Sequence, residues 1–237
     1  MCWFSAGVSS FVAAMFSKPD RIIYIDIDDQ HPDSMRFVKD CERVLGRKIE
    51  LLKSPYGSVD SACRAFGFIA SAYGAKCTDV LKKRVRKEWE SRQVEPLTYV
   101  WGMDCAERHR AEAIRETMTS FEHEFPLIDL SLEKKEVHAI CEDLSVRRPA
   151  MYELGYSNNN CIGCVKGGMG YWNKIRLDFP EVFEHRAKLE RDIGNSCING
   201  VFLDELDPSA GRMSDKILPE CGIFCMTATA ELQKGET

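Results

Sequence analysis

The stretch that decides the fold is MCWFSAGVSSFVAA, residues 1–14. Residues 1–5 predict a short buried strand, and residues 8–17 predict an amphipathic helix that ends near Lys18. Small residues separate the two elements, so several backbone N–H groups converge at the start of the helix, where its dipole is positive. We expect this turn to bind a phosphate, although an ordinary strand-to-helix turn fits the same residues.

The side chains of the turn also suit an anion. Ser5, Ser9 and Ser10 carry hydroxyl donors, while Ala6 and Gly7 leave the backbone approachable. The turn has neither the lysine of a Walker A loop nor the glycine spacing of a dinucleotide-binding loop. Neither of those two nucleotide sites is therefore predicted.

The next fifty residues extend a strand–helix alternation. RIIYIDI (21–27) is an apolar run that predicts a strand buried in a parallel sheet, and KIELLKS (48–54) predicts a third strand. MRFVKDCERVLG (35–46) predicts a helix between them, with Asp33 or Ser34 as its N-cap. This alternation predicts an α/β fold with a doubly wound, mainly parallel sheet and helices on both faces.

The remaining segments continue this pattern and then depart from it. Residues 58–92 predict helices with one break, LTYVWGMD (97–104) predicts a buried strand, and FPLIDLS (125–131) predicts a short strand or extended segment. Beyond Pro149 the chain is rich in Gly, Asn and Cys. We therefore divide it into an α/β nucleotide-binding domain at 1–150 and a Cys-rich C-terminal extension at 151–237, packed on the same domain.

Composition narrows the class of protein. The 237 residues are 44% hydrophobic with a formal net charge of −5, which does not demand a nucleic-acid partner. No apolar run reaches the ~18 residues of a membrane span, and no leader is evident, so we expect a cytoplasmic protein with reduced thiols. Four of the eleven cysteines lie in helical patterns and are predicted to be small core residues, namely Cys41, Cys63, Cys105 and Cys141.

Other cysteines form a candidate metal site. Cys161-Ile-Gly-Cys164 is a C-x-x-C pair, and Cys77, Cys221 and Cys225 supply further thiols from remote segments. A zinc site commonly shows two C-x-x-C pairs, so an iron–sulfur cluster fits this set at least as well as zinc. A redox dithiol fits poorly, because the pair does not open a helix directly after a strand. We expect Cys161 and Cys164 to bind a metal.

Charged residues accompany these candidate sites. KKRVRK (82–87) predicts either a solvated helix face or, through Lys82, a contact with phosphate or sulfate oxygens near the cysteines. Glu107 and Arg110 begin a helix after the strand at 97–104, which is where open α/β sheets bind ligands. Alternatively, the charged residues of both segments are ordinary surface residues.

The turn SAGVSS (5–10) resembles the S-G-G-x-D-S pyrophosphate loop of the adenine-nucleotide α-hydrolase-like, or PP-loop, superfamily. Within that superfamily the chain is similar to the phosphoadenosine phosphosulfate (PAPS) reductase family, especially its small phage and prophage members. Further matches occur in family order, at IDIDDQHPDSMRF (25–37), CTDVLKK (77–83), WGMDCAERHRA (101–111), GYSNNNCIGCVKGG (155–168) and ECG (220–222).

The resemblance implies roles for individual residues. It implies that an adenine nucleotide (PAPS, its unphosphorylated analogue APS, or ATP) binds at Ser5, Ala6, Gly7, Ser9, Ser10, Asp26, Asp28, Gly102 and Glu107. It implies a cluster, most simply [4Fe–4S], held by Cys77, Cys161 and Cys164, for which we expect Cys225 as the fourth ligand. It implies catalysis by Cys221, Lys82 and Arg110, with the Cys221 thiolate attacking sulfur and thioredoxin or glutaredoxin as reductant.

The chain departs from the family pattern at several positions. Ser9 replaces the loop aspartate, which argues against ATP pyrophosphatase chemistry. Only one cysteine, Cys77, stands where cluster-bearing reductases have two, and Phe224 stands where the reductase tail has histidine. Whether Cys221 or Cys225 is the nucleophile or the fourth cluster ligand therefore stays open.

Three functions follow as hypotheses. The first is a PAPS reductase-like oxidoreductase. The second is an ATP-dependent sulfurtransferase of the same fold, which alone would need a nucleic-acid acceptor. The third is a non-catalytic nucleotide- and metal-binding phage accessory protein. None of them needs a membrane, and whether the protein forms a homodimer stays open.

Overall fold

A computed structural model of the chain describes residues 1–71, 74–214 and 217. Its strands are β1 (Cys2–Phe4), β2 (Ile22–Asp26), β3 (Glu50–Lys53), β4 (Ala70–Ser71), β5 (Gly74–Ala75), β6 (Thr98–Val100) and β7 (Glu122–Glu124). Five of them form one sheet in the order β3-β2-β1-β6-β7, and β4 and β5 form a small antiparallel hairpin. β1 pairs in parallel with β2 and β6, and β6 with β7, so the predicted α/β class with a parallel sheet is confirmed.

Helices connect these strands and continue after the last one. They are α1 (Val8–Ser17), α2 (Asp33–Leu45), α3 (Val59–Phe66), α4 (Arg84–Glu90), α5 (Arg108–Thr117), α6 (Pro126–Asp129), α7 (Lys134–Asp143), α8 (Ala150–Glu153), α9 (Met169–Asp178) and α10 (Pro180–Ile193). A π-helical segment, Thr78–Lys83, runs directly into α4, and Cys105–Glu107 and Leu203–Glu205 form 3-10 turns. None of the helices described here is long and apolar enough to cross a bilayer.

The chain folds into two compact units. The first consists of Met1–Ile25, Pro32–Leu52 and Ser91–Leu154. The second consists of Asp26–His31, Lys53–Glu90 and the described residues from Gly155 onward. The second unit thus includes segments that precede residue 150, where the sequence pattern placed a single boundary.

The core of the first unit explains its local sequence pattern. Phe37 of α2 stacks on Phe4 of β1, with ring centroids 6.2 Å apart, and meets Phe11 of α1 edge-on at 6.0 Å. Cys41 and Cys141 belong to the same buried cluster. Burial raises the pKa of the Cys141 thiol to about 11, as expected of a small core residue.

The prediction of core cysteines is confirmed for three of the four. Cys63, in the second unit, is also fully buried, and burial raises the pKa of its thiol to about 11. The prediction is wrong for Cys105, which lies half-buried in the 3-10 turn Cys105–Glu107. Short 3-10 turns leave side chains less covered than the helix interior that the pattern suggested.

Two local predictions were wrong at element ends. FPLIDLS (125–131) contains the helix α6, because Pro126 occupies its first position, where a fixed φ favours a helix start. The edge strand β7 lies just before it and is polar, as suits a strand paired on one side only. Asp33 does not cap α2; it lies in the first turn, and its carboxylate accepts a bond from the amide of Ala150 at 2.9 Å.

Candidate functional site

The turn at 5–10 lies at the carboxyl end of β1 and opens α1 in the first unit. Ala6 has a left-handed φ of 53°, and Gly7 is the N-cap of α1. No side chain in the described part of the chain caps this helix N-terminus. The first N–H groups of a helix have no partner within the helix, so this end of α1 can donate to an anion.

Ser10 shapes the turn from inside. Its Oγ accepts a hydrogen bond from the Ser5 amide at 3.1 Å and donates to the Gly7 carbonyl at 2.9 Å. Ser10 is buried, whereas Ser5 is exposed and Ser9 is half-buried. Of the three serines predicted to hold phosphate, Ser5 and Ser9 are therefore the more accessible, and Ser10 holds the backbone.

Gly102 lies against this turn. A Cβ at Gly102 would stand 2.6 Å from the amide nitrogen and the Cα of Ser10, which is closer than any real contact of this kind. The segment after β6 therefore packs directly on the first turn of α1. Strand order reverses between β1 and β6, and ligands of open α/β sheets bind at the carboxyl ends of strands at such a switch point.

Glu107 and Arg110 lie on the same connection after β6. Asp104 accepts from the Ala106 amide at 3.0 Å, and Glu107 accepts in return from the Asp104 amide at 3.4 Å, which forms a capping box. Arg110 forms an ion pair with Glu107. Both predicted residues thus stabilise the start of α5, and Arg110 brings a positive charge to this connection.

Asp26 and Asp28 lie in the second unit, at the end of β2. Lys53 approaches both carboxylates, with its Nζ 2.7 Å from Asp28 Oδ1 and 3.7 Å from Asp26 Oδ2. The bond to Asp28 raises the pKa of the Lys53 ammonium. The two acidic side chains remain largely accessible and share one cation.

Three predicted metal ligands line one cavity of the second unit. Cys77, Cys161 and Cys164 are buried and line the same small cavity. The other lining residues are Ile27, Val59, Thr78, Leu81, Lys82 and Val165. The fold thus brings together the three cysteines and the lysine that the sequence associated with them.

The segment that supplies Cys77 and Lys82 forms a π-helix, which is rare in proteins. Cys77 is the N-cap of the π-helical segment Thr78–Lys83, which contains Lys82. Single π turns occur frequently at functional sites, because the wider turn redirects side chains. The Ser54 hydroxyl donates to the carbonyl of Val80 at 3.2 Å and so supports this turn.

The cysteine loop, residues 161–168, takes its shape partly from a distant residue. The Ile162 amide donates to the carbonyl of Asp29 at 2.8 Å. Gly163 has a φ of 66°, and a Cβ there would stand 2.7 Å from Val182, so the loop needs glycine at this point. The loop is therefore fixed in the second unit by both its own glycine and Asp29.

Asp29 was not predicted as part of the site. Its Oδ1 pairs with Arg186 Nη2 at 3.0 Å, and its Oδ2 accepts from the Val59 amide at 2.6 Å. The side chain of Arg186, on α10, is only 2% exposed. In IDIDDQ nothing in the sequence distinguishes Asp29 from Asp26 and Asp28; only the pairing with the buried Arg186 does so.

The described residues do not form a preformed site for a single metal ion. No group of three or more His, Cys, Asp or Glu converges on one ion position within residues 1–71, 74–214 and 217. Three thiols around one cavity are nevertheless the type of ligand that an iron–sulfur cluster takes. Each iron of a cluster is bound by its own cysteine, so the cysteine sulfurs do not have to meet at one point.

The predicted nucleophile and the fourth ligand, Cys221 and Cys225, lie outside the described residues. Comparisons of the chain with protein-family models, with curated proteins and with solved structures found no match.

Proposed function

We propose that this protein is an oxidoreductase of the sulfonucleotide, or PAPS, reductase type. It would bind an adenine nucleotide on a doubly wound sheet and carry an iron–sulfur cluster. The observation that carries the proposal is the cavity lined by Cys77, Cys161, Cys164 and Lys82. These residues come from two segments, 77–83 and 155–168, which are far apart in the sequence and both resemble the family.

Features of the first unit support the proposal that the protein binds an adenine nucleotide. Exposed Ser5, half-buried Ser9 and the start of α1 present donors at the topological switch point of the sheet. Phosphate oxygens are the ligands that such a group of donors prefers. Arg110, on the neighbouring connection, would add a cation for the phosphate that leaves during the reaction.

The chemistry assigned to the chain is transfer of a sulfo group from the nucleotide to a cysteine thiolate, followed by reduction. The Cys221 thiolate would attack the sulfur of the sulfonucleotide, forming an S–S bond while the sulfur–oxygen bond to the nucleotide phosphate breaks. A dithiol reductant such as thioredoxin would then reduce the resulting thiosulfonate, releasing sulfite and becoming a disulfide. Lys82 would hold sulfate oxygens at the cysteine cavity.

Cys77, Cys161 and Cys164 would hold the cluster, with Cys225 or Cys221 as the fourth ligand. A cluster bound there would supply a redox-active, charged centre. The protein's own contribution is to keep three thiols in an apolar, largely water-excluded cavity, where polar interactions are stronger than in water.

The cofactor is tested by anaerobic purification with iron and sulfide analysis of the wild-type chain and two variants. Cys161→Ser should lose the iron, whereas Cys105→Ser, which removes a cysteine of the first unit, should retain it. Equal iron in both variants would contradict the cluster assignment. Absence of iron and sulfide from the wild-type protein would contradict it as well.

The reaction is tested by titration with PAPS, its unphosphorylated analogue APS, and ATP. Cys221→Ser should abolish sulfite release and leave the iron content unchanged; loss of iron would instead identify Cys221 as a ligand. ATP consumption that requires RNA or DNA would replace the reductase with a sulfurtransferase. Failure to bind any of the three nucleotides would overturn the proposal.

A further inference from the structure

The hydroxyl of Tyr171 lies between the two ends of the C-x-x-C segment. Tyr171 Oη accepts a hydrogen bond from the Cys164 amide at 2.9 Å and donates to the Cys161 carbonyl at 3.4 Å. A phenol is protonated at neutral pH, so its hydroxyl can donate one hydrogen bond and accept another. One side chain therefore bridges the backbones of both cysteines.

The ring that carries this hydroxyl has little room to move. A Cβ at Gly167 would stand 1.9 Å from Tyr171 Cδ1, so the loop can pass over the ring only with glycine at this position. Trp172 and Tyr156 meet the ring edge-on, with centroids 5.7 and 5.9 Å away. A fixed ring gives a fixed hydroxyl, and this in turn fixes the loop.

We propose that Tyr171 is a positioning residue that sets the geometry of Cys161 and Cys164 before any metal binds. Its two hydrogen bonds fix the distance between the Cys161 carbonyl and the Cys164 amide, while the Ile162 amide is held separately by Asp29. Both thiols are then presented to the cavity by the protein alone. The positioning role of Tyr171 does not depend on the proposed function. Only the identity of the metal or cluster that the thiols bind rests on it.

Preorganisation has a measurable consequence. A metal that binds a preformed loop does not have to order it, so the affinity is higher than for a mobile loop carrying the same ligands. The Cys164 amide should also be protected from exchange with solvent in the metal-free protein, because its hydrogen bond to a buried oxygen must open first.

The chain offers a matched pair of variants. Tyr171→Phe removes the hydroxyl that bridges the cysteines and leaves the ring in place. Tyr156→Phe removes a neighbouring tyrosine hydroxyl whose bond goes to Asp178 at 2.8 Å instead. Tyr171→Phe removes both hydrogen bonds to the cysteine backbones, whereas Tyr156→Phe removes a hydrogen bond of the same aromatic group that does not involve the cysteines. A change in the cysteine loop that occurs only in Tyr171→Phe therefore reports on the bridge.

The first measurement is amide hydrogen exchange in metal-free protein. We expect the Cys164 amide to exchange about tenfold faster in Tyr171→Phe, the factor that corresponds to loss of one buried hydrogen bond, and at the wild-type rate in Tyr156→Phe. Equal rates in the two variants would overturn the inference. Should Tyr171→Phe fail to fold, a wild-type Cys164 amide that exchanges as fast as an open chain would also overturn it.

The second measurement is titration with Co²⁺, followed by its thiolate charge-transfer absorption. We expect Tyr171→Phe to bind Co²⁺ about tenfold more weakly than the wild type and Tyr156→Phe to bind as the wild type does. Equal affinity in all three proteins would overturn the positioning role and leave the proposed function intact. A wild type that binds neither Co²⁺ nor iron, with the exchange difference present, would instead overturn the proposed function alone.

Discussion

The turn at residues 5–10 of the first unit and the cysteine loop of the second are stabilised in different ways. The bonds that shape the turn join Ser10 to Ser5 and Gly7, all within six residues of chain. The cysteine loop bonds to Asp29, which precedes it by more than a hundred residues, as well as to Tyr171. The turn is a local structure, and the loop depends on the tertiary fold.

This difference has an energetic counterpart. The turn uses neutral hydrogen bonds, which contribute about 1 kcal/mol each to stability. The loop relies on Asp29, whose carboxylate is paired with the almost fully buried guanidinium of Arg186. Removing one partner of a buried pair costs more than the pair is worth, since it leaves an uncompensated charge. Substitutions should therefore disturb the two regions to different extents.

The largest effect is expected from Asp29→Ala. It should lower the free energy of unfolding by about 3–5 kcal/mol, because Arg186 would be left buried without its carboxylate. Urea denaturation measures the loss. Exchange of the Ile162 amide, which bonds to the Asp29 carbonyl, should accelerate in the same variant.

Asp28→Ala is the control for that change. Asp28 is the adjacent residue and also forms an ion pair, with Lys53, but its side chain is 51% exposed. Exposed pairs contribute about 0–1 kcal/mol, so this variant should be nearly as stable as the wild type. Similar losses in Asp28→Ala and Asp29→Ala would show that the loop has no special dependence on the buried pair.

Asp33→Asn should have an intermediate effect, because Asp33 makes long-range contacts within the first unit. Arg36 contacts both carboxylate oxygens of Asp33, and the Ala150 amide adds a third bond. These contacts, the bond to Arg36 foremost, lower the pKa of Asp33. Loss of the charge-assisted bonds should cost about 2 kcal/mol at pH 7.

The lowered pKa of Asp33 also predicts how the stability difference between wild type and Asp33→Asn changes with pH. Because the folded pKa of Asp33 lies below the unfolded value of about 3.9, its contribution is complete above that pH and declines as pH falls through the folded pKa. The stabilities of wild type and Asp33→Asn should converge in that acidic range. Asp40→Asn removes an i,i+4 partner of the same Arg36 and should cost only about 0.5 kcal/mol. A pH-independent difference would contradict the assignment to Asp33.

The smallest effect is expected from Ser10→Ala. It removes the hydrogen bonds of the Ser10 hydroxyl to the Ser5 amide, the Ser5 hydroxyl and the Gly7 carbonyl. It should cost about 1–2 kcal/mol, because the exposed Ser5 can bond to water instead. Adenine-nucleotide binding in calorimetry should weaken, because the turn is less well defined. Ser9→Ala should leave stability unchanged. A larger loss of stability in Ser10→Ala than in Asp29→Ala would reverse the comparison between the two regions.

The predictions from sequence succeeded where a local pattern was sufficient. The apolar runs that became β1, β2, β3 and β6 and the helix at 8–17 follow from periodicity and turn residues. The errors fall where a single residue overrides the pattern: Pro126 starts a helix inside an apolar run. Asp33, an acceptable N-cap by type, is instead bound to Arg36 and the Ala150 amide.

The candidate site shows the same limit. Cys161 and Cys164 could be paired by their spacing, but their association with Cys77 followed from a family resemblance, and the fold brings all three to one cavity. Asp29 was overlooked because two other aspartates in the same run are chemically identical to it. Tyr171 was overlooked because a buried tyrosine near an aromatic pair is ordinary core composition.

By itself, the sequence determined the α/β class, the turn at 5–10 and the local conformation of the segments around it, since these depend on contacts within a few residues. Only the tertiary structure decided which cysteines share a cavity, which aspartate pairs with Arg186 and which tyrosine bridges the cysteine loop. These outcomes depend on burial and on partners far away in the chain. Residue type and spacing carry little information about either.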